Sequence, residues 1–370
     1  MFRRFVVPVL FALVAIPALA DEGRIPIPFS SPGTPPIVIV QPGKYILTRN
    51  LKATAAGSCI QLAVPVLTPG DVDIDLNGFI LDQSTNPGAA AISVSAGPTR
   101  EVTIHDGVIQ GGARGIEVLG GGGTSTRKVV LERLRISNTG GDGVILAEVF
   151  NGVVRDSVIQ DCGGNGVNVQ GGTSPRQTRV ERNLIRNCTA GGIVIGGTSP
   201  QAVIVNNQIA LIPGIVGIDI LNGIGCLVSE NTVREVTGAG GACIRLINTV
   251  GSKFFDNVVN RCAGNGIQGD PTSNDNLFWK NVVTQATGVA GLNLFGDRNA
   301  VEGNVLNINT GRGLIFQPGA DNNIYRQNTA RGNTGAGACA GPCGPGTDFC
   351  NGGIGNSSNG DNWLPVAPCL

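Results

Sequence analysis

The sequence predicts an all-β solenoid, a parallel β-helix of about eleven coils. An Asn recurs at positions 183, 207, 231, 257, 281, 304 and 328, at spacings of 24, 24, 26, 24, 23 and 24 residues. Around it one short apolar pattern keeps returning. Val203-Ile204-Val205-Asn206-Asn207-Gln208-Ile209 is followed by Leu227-Val228-Ser229-Glu230-Asn231-Thr232-Val233 and later by Phe278-Trp279-Lys280-Asn281-Val282-Val283. A unit this short cannot bury a core of its own and gains one by stacking on its neighbours. Apolar residues two apart mark strands, and no capped stretch of helical period appears. A leucine-rich horseshoe would need its Leu/Asn consensus, and a propeller a longer repeat.

Residues 1–20 read as a signal peptide. Arg3 and Arg4 supply the positive end, Phe5 to Ile16 the apolar run, and Ala18-Leu19-Ala20 the cleavage site. The apolar run is shorter than the roughly 20 residues a membrane span needs. Residues 21–36 are Pro-rich and read as an extended linker. Ile37-Val38-Ile39-Val40 and Tyr45-Ile46-Leu47, joined by a turn at Gln41-Pro42-Gly43-Lys44, read as strands that cap the open edge of the first coil. The β-helix with this cap spans 37–335, and a Cys- and Gly-rich C-terminal cap spans 336–370.

Within the repeats, two columns read as inward-facing. The position two after the Asn runs from Leu81 and Ile109 through Ile209 to Leu306 and Ala330. The position three before it runs from Leu76 and Ile104 through Ile204 to Val301 and Tyr325. Each buried Ile or Val is worth roughly 1.5–3 kcal/mol. About nine residues on, each coil has a Gly-apolar-x-apolar strand, such as Gly166-Val167-Asn168-Val169 or Gly192-Ile193-Val194-Ile195. The Gly reads as a left-handed turn residue. The Asn column reads as a ladder of amide hydrogen bonds between coils, with Asn276, Asn299 and Asn323 as a second ladder.

The chain has 26 basic and 26 acidic residues, and losing Arg3 and Arg4 leaves 24 against 26, a mature charge of −2. No polybasic run favours nucleic acid as a partner. Of the ten cysteines, Cys339, Cys343, Cys350 and Cys369 cluster after the last coil. In an exported chain they read as two disulfides of open pairing; zinc is the rival, with no His nearby. Cys162 and Cys188 share a column in adjacent coils and read as two stacked buried thiols. Cys59, Cys226, Cys243 and Cys262 read as inward-facing.

Chemistry, if present, lies on the outward columns. Two before the Asn position run Asn77, His105, Glu132, Arg155 and Glu181; one before it run Gly78, Asp106, Arg133, Asp156 and Arg182. The alternating signs read as cross-strand ion pairs on a solvated face. The functional alternative is a groove for acidic sugars, with Arg133 and Arg155 on a carboxylate and Glu132 or His105 moving a proton. With His105 the only histidine, a Ser-His-Asp triad or a two-His metal site within one chain is nearly excluded. Further on, Phe255 and Trp279 stand in consecutive coils beside Lys280 and Glu302. Exposed rings beside charged groups suit sugar faces, and a sheltering aromatic pair is the structural alternative.

Tyr45-Ile-Leu-Thr-Arg-Asn-Leu51, Val72-Asp-Ile-Asp-Leu-Asn-Gly-Phe79 and the Asn-x-apolar coils together resemble the secreted right-handed parallel β-helix proteins of the pectin-lyase-like superfamily. The resemblance covers roughly residues 37 to 335. It implies a right-handed coil and a setting outside the cytoplasm. It is weak on activity, because the superfamily holds lyases, hydrolases, epimerases, tailspikes and members without established activity. Polygalacturonase-like Asn-Thr-Asp, Asp-Asp and Gly-His-Gly elements are missing, and Asp270-Pro271 is followed by Thr272 rather than the His of an epimerase-like stretch. The chain looks most like the members without known activity. The expectation is a secreted or periplasmic protein that binds polysaccharide or a cell-surface partner without catalysis, and without metal or cofactor. A lyase or hydrolase on acidic polysaccharide and a purely structural role are the alternatives.

Overall fold

The computed structural model describes residues 23–27, 36–53, 57–64, 70–95, 101–120, 127–171, 177–197, 199–335 and 348–358. They form a parallel β-helix of about eleven coils. A typical coil has three strands, such as Val203–Val205, Gln208–Ile212 and Val216–Leu221. First and second strands belong to one 24-stranded sheet, and third strands form a separate sheet of 13. Every pairing is parallel and joins a strand to its counterpart one coil away, as in Ile185↔Ile209 and Ile209↔Val233.

The inward columns meet in the middle. Leu81, Ile109, Ile209 and Leu306 are fully buried, and Phe254 stacks on Phe278 at 5.2 Å between ring centroids. One column corrects the sequence reading. Ile74, not Leu76, pairs with Ile104, and Asp75, not Asn77, pairs with His105. The register rejoins at Leu81↔Ile109. Between Ile74 and Ile80 the chain makes a wider corner, with Asn77 and Gly78 both at positive φ. Gly78 reaches Asp106 only through its backbone N–H, at 2.6 Å.

The corner between first and second strands is the residue before the Asn. It is left-handed in coil after coil, at Asp106, Arg133, Asp156, Arg182, Asn206, Glu230, Asp256 and Lys280, with φ of 51 to 57°. Such a conformation costs an L-residue roughly 1–2 kcal/mol, and from Arg182 onward the Asn that follows secures it; Gly107, Leu134 and Ser157 stand in that place in the earlier coils. Asn207 Oδ1 accepts from the backbone N–H and from Nδ2 of Asn183, at 3.1 and 3.0 Å, while Asn207 Nδ2 donates to the Val180 carbonyl at 2.8 Å. The same bonds continue through Asn231, Asn257, Asn281, Asn304 and Asn328. The second ladder runs Ser252, Asn276, Asn299, Asn323 and closes on Asn356.

The Gly of each third strand has a different cause from the one expected. Gly166 and Gly192 are not among the positive-φ residues. They are small because the coils approach closely there: a Cβ on Gly166 would lie 2.4 Å from Ile185 Cγ2 and 2.8 Å from the Gly192 carbonyl oxygen.

The signal-peptide stretch and Cys339, Cys343 and Cys369 lie outside the described residues. Cys350 is disulfide-bonded. Cys162 pairs in register with Cys188, and both are buried thiols; the neighbouring Cys162 sulfur and burial push the Cys188 thiol up. Cys243 and Cys262 are inward as expected, but they are bonded to each other. Ile25–Ile27, within the stretch read as linker, pairs in parallel with Tyr45–Leu47 and buries Ile27, so the solenoid begins before residue 37. No helix among the described residues is long and apolar enough to cross a membrane.

Candidate functional site

The first strands place His105, Glu132, Arg155 and Glu181 side by side, one per coil. The left-handed corners place Asp106, Arg133, Asp156 and Arg182 alongside them. All four residues proposed for catalysis, His105, Glu132, Arg133 and Arg155, therefore fall in one network. Arg133 grips Asp106 with two bonds of 2.6 and 2.8 Å and reaches Glu132 with a third. Arg155 bonds the other Glu132 oxygen at 2.6 Å. Arg182 holds Asp156 at 2.7 and 2.9 Å and Glu181 at 3.0 Å, and Arg179 also bonds Glu181.

The electrostatics follow from that geometry. The Arg133 guanidinium, helped by His105, lowers Asp106 to about 2 against the cost of partial burial. Burial pushes Glu132 up, but the bonds from Arg155 and Arg133 outweigh it and hold the carboxyl below its usual range. Arg182 lowers Asp156 in the same way. A carboxylate held ionised by two guanidiniums is a poor proton donor, and one whose lone pairs are taken is a poor base.

The register also brings in two residues that sequence reasoning missed. Asp73 and Asp75, from Val72-Asp-Ile-Asp, flank His105: Nε2 lies 3.0 Å from Asp73 Oδ1, and Nδ1 lies 2.6 Å from Asp106 Oδ2 and 3.9 Å from Asp75 Oδ1. The period-two alternation of this stretch was the available signal. Ligand atoms of Asp75, His105 and Asp106 lie within 4.8 Å of one another, close enough to share a metal ion. Yet Arg24 bonds Asp75 and Arg133 bonds Asp106, so guanidinium already occupies both carboxylates. This donor set fits a metal poorly.

Further along the same face, Phe255 pairs with Trp279 and Trp279 with Glu302. The two rings are tilted by 55° at 6.3 Å. Trp279 is 36% exposed. Lys280 Nζ lies 4.1 Å from the indole centroid, a cation–π contact, and Glu302 bonds Arg326 at 2.9 Å. Phe278 and Asn281, beside Trp279 in sequence, are buried, so the indole is left for the surface. The third-strand sheet adds Asp219, buried outward and held by Arg245 at 2.9 and 2.6 Å, another pair that sequence reasoning did not single out. Asp270 caps its own turn, accepting from Ser273 Oγ at 2.7 Å and from the Asn248 N–H at 3.1 Å.

Residues 77–209 match the family model of the right-handed β-helix region. No curated protein matches the chain by sequence. Among solved structures, a variant of the periplasmic alginate epimerase AlgG is similar at a TM-score of 0.63 and 12% identity, covering 80% of this chain and 77% of that one. The pre-mature gene product 12 of bacteriophage phi29 is similar at 0.64 and 13%, covering 92% of this chain and 53% of that one. At such identity the likeness is one of fold. Repeat and register agree with it: this chain has the fold of the right-handed parallel β-helix proteins.

Proposed function

We propose that the protein is exported to the periplasm or cell exterior and binds polysaccharide or a cell-surface glycan without turning it over. The Phe255, Trp279, Lys280 and Glu302 patch is the binding surface. The observation that carries this reading is the indole of Trp279, left at the surface of a rigid sheet with a cation on its ring and ionic groups at its margin. Such a ring offers a sugar an apolar face, with polar partners around it for the hydroxyls. The neutralised state of the His105–Glu181 network supports a non-catalytic role. The Ala-Leu-Ala leader and the fold shared with a periplasmic alginate epimerase support the setting and the ligand class.

The test is tryptophan fluorescence of the mature protein during titration with acidic and neutral polysaccharides. Trp279→Ala should abolish the glycan-induced change while leaving stability within about 1 kcal/mol of wild type. Clear destabilisation with no glycan response in either protein would overturn the reading.

A second reading rests on His105 among Asp73, Asp75 and Asp106: a lyase or hydrolase of acidic polysaccharide that uses His105 or Glu132 to move a proton. New unsaturated or reducing ends from uronate polymers, lost in His105→Ala, would favour it.

A further inference from the structure

The near-zero net charge hides a division between faces. On the second strands, the outward position three after the Asn runs Gln160, Arg186, Ala210, Arg234, Asn260 and Thr284, and continues through Asn307 to Arg331, in unbroken register. From Gln160 onward it contains no acid, although the same column begins at Asp82 and one carboxylate, Asp161, lines the trough beside it. Arg135 stands in the neighbouring outward column of the same sheet. Arg135, Arg186, Arg234 and Arg331 are exposed, and among the described residues none has a carboxylate partner. Arg186 bonds only the neutral Gln160 amide oxygen, at 2.8 and 3.1 Å. On the first strands, by contrast, Arg133, Arg155, Arg179, Arg182 and Arg326 all hold carboxylates.

Beside this row lies a trough in two stretches that share Thr237. One, of about 460 Å³, runs from Asp161 and Arg186 to Pro213; the other, of about 470 Å³, runs from Arg261 and Gln285 to Thr310. Its rim is the next left-handed turn of each coil. In most coils that turn carries a polar residue, such as Asn187, Glu235, Arg261 or Gln285, but twice it carries an aliphatic one. Leu211 has φ of 54° and is 52% exposed; Ile308 has φ of 55° and is 63% exposed. A β-branched residue is costly in this conformation. Exposed as it is, the Ile308 side chain returns little of that cost by burial. Both aliphatic residues line the trough.

We propose that this trough and its arginine row bind a linear anionic glycan lying along the solenoid axis. The site is separate from the Trp279 patch and does not depend on it. Arg186 and Arg234 stand two coils apart, about 10 Å at the inter-strand spacing, on a scaffold too rigid to bring them together on one small anion. They therefore address a polymer with charges at intervals. Guanidinium forks pair with carboxylate or sulfate. The hydroxyls of Thr237, Thr287 and Thr310 meet sugar hydroxyls, and Leu211 and Ile308 meet the C–H faces of the rings. No aromatic side chain stands in these two columns, so the bases of a nucleic acid would have nothing to stack on.

The experiment measures retention and affinity of the mature protein on dextran sulfate, polygalacturonate and neutral dextran, at low and raised salt. Wild type should bind one or both anionic polymers in a salt-dependent way and show no salt-dependent binding to the neutral one. The two anionic arms separate sulfate from carboxylate recognition. Arg186→Ala with Arg234→Ala should weaken that binding by roughly tenfold or more without changing the melting curve. Leu211→Ser with Ile308→Ser should weaken it while keeping the salt dependence. Arg114→Ala with Arg298→Ala removes the same charge from other faces and should change it little. Failure of wild type to bind either anionic polymer would overturn the proposal, as would equal loss in the two arginine pairs. The Trp279→Ala protein should keep the salt-dependent component of binding that the arginines supply, so failure of one site leaves the other standing.

Discussion

Asp106 combines a strained backbone with a stabilised charge. Its φ is 57°, and Arg133 in the next coil holds its carboxylate with two bonds. Because the folded pKa is lowered to about 2 while the unfolded one is about 4, the pair adds stability above pH 4. That stability is lost as pH falls from 4 towards 2. The pair is partly exposed, so solvent screening keeps the contribution small. Arg133→Ala should therefore melt below wild type at pH 7, and the gap should close by pH 2. A gap that stays constant across that range would assign the loss to packing instead. Asn231 makes a second residue-scale case. Its Oδ1 accepts from the N–H and Nδ2 of Asn207, and its Nδ2 donates to the Ile204 carbonyl, all fully buried. Asn231→Ala leaves those groups unpaired, at about 1–3 kcal/mol each, and thermal melting should show a loss of several kcal/mol. The ladder was legible in the sequence because a buried amide column must repeat with the coil. The acids around His105 were not, because the wider corner at Asn77-Gly78 shifts the register by two residues and sequence spacing alone cannot show it.

At the scale of elements, the third-strand Gly column explains the disulfide. Where other coils carry Gly143, Gly166, Gly192 and Gly217, the next carries Cys243, and that position faces the cysteine that opens the following turn. The substitution stood in the sequence as Ala242-Cys243-Ile244-Arg245-Leu246. It was not read as a bond, because the Gly had been assigned to turn geometry and not to close approach. The same geometry recurs without the second cysteine. A Cβ on Gly143 would lie 3.2 Å from Cys162 Sγ, and these residues are 19 apart in sequence, as Cys243 and Cys262 are; it would also lie 2.5 Å from Ile159 Cγ2 and 2.7 Å from the Gly166 carbonyl oxygen, so the coils must shift slightly to admit it. Gly143→Cys should therefore crosslink to Cys162. Peptide mapping under non-reducing conditions would show the linked pair; alkylation of both thiols in the folded protein would refute it.

For the whole molecule, a coil contacts chiefly its two neighbours, so stability is a sum over interfaces rather than the property of one centre. Ile209 stands mid-rod, fully buried between Ile185 and Val233. Ile209→Asp would place an unpaired charge there at a cost of several kcal/mol. Denaturant unfolding should then lose its single cooperative transition, whereas unchanged unfolding would contradict the inward assignment. The sequence disclosed this architecture because stacking forces every coil to repeat the same inward residues. It disclosed the surface poorly, because outward residues obey no such constraint. The partition of arginines into a paired face and an unpaired one emerges only once the register is known.

The asparagine ladder also gives the rod a direction. In each rung the accepting oxygen comes from the later coil and the waiting N–H from the earlier one, as Asn183 waits on Asn207 and Asn207 on Asn231. A coil leaves its own donors open until its successor arrives, and its arrival closes those of its predecessor. Wherever the chain is cut, the same unfinished end is presented, ready for one more unit of the same kind. The ladder is thus polar along its axis, with unmet donors at one cut face and unmet acceptors at the other. The fold's second seam is finished by a residue from beyond the repeats, where Asn356 supplies the oxygen that Asn323 would otherwise lack.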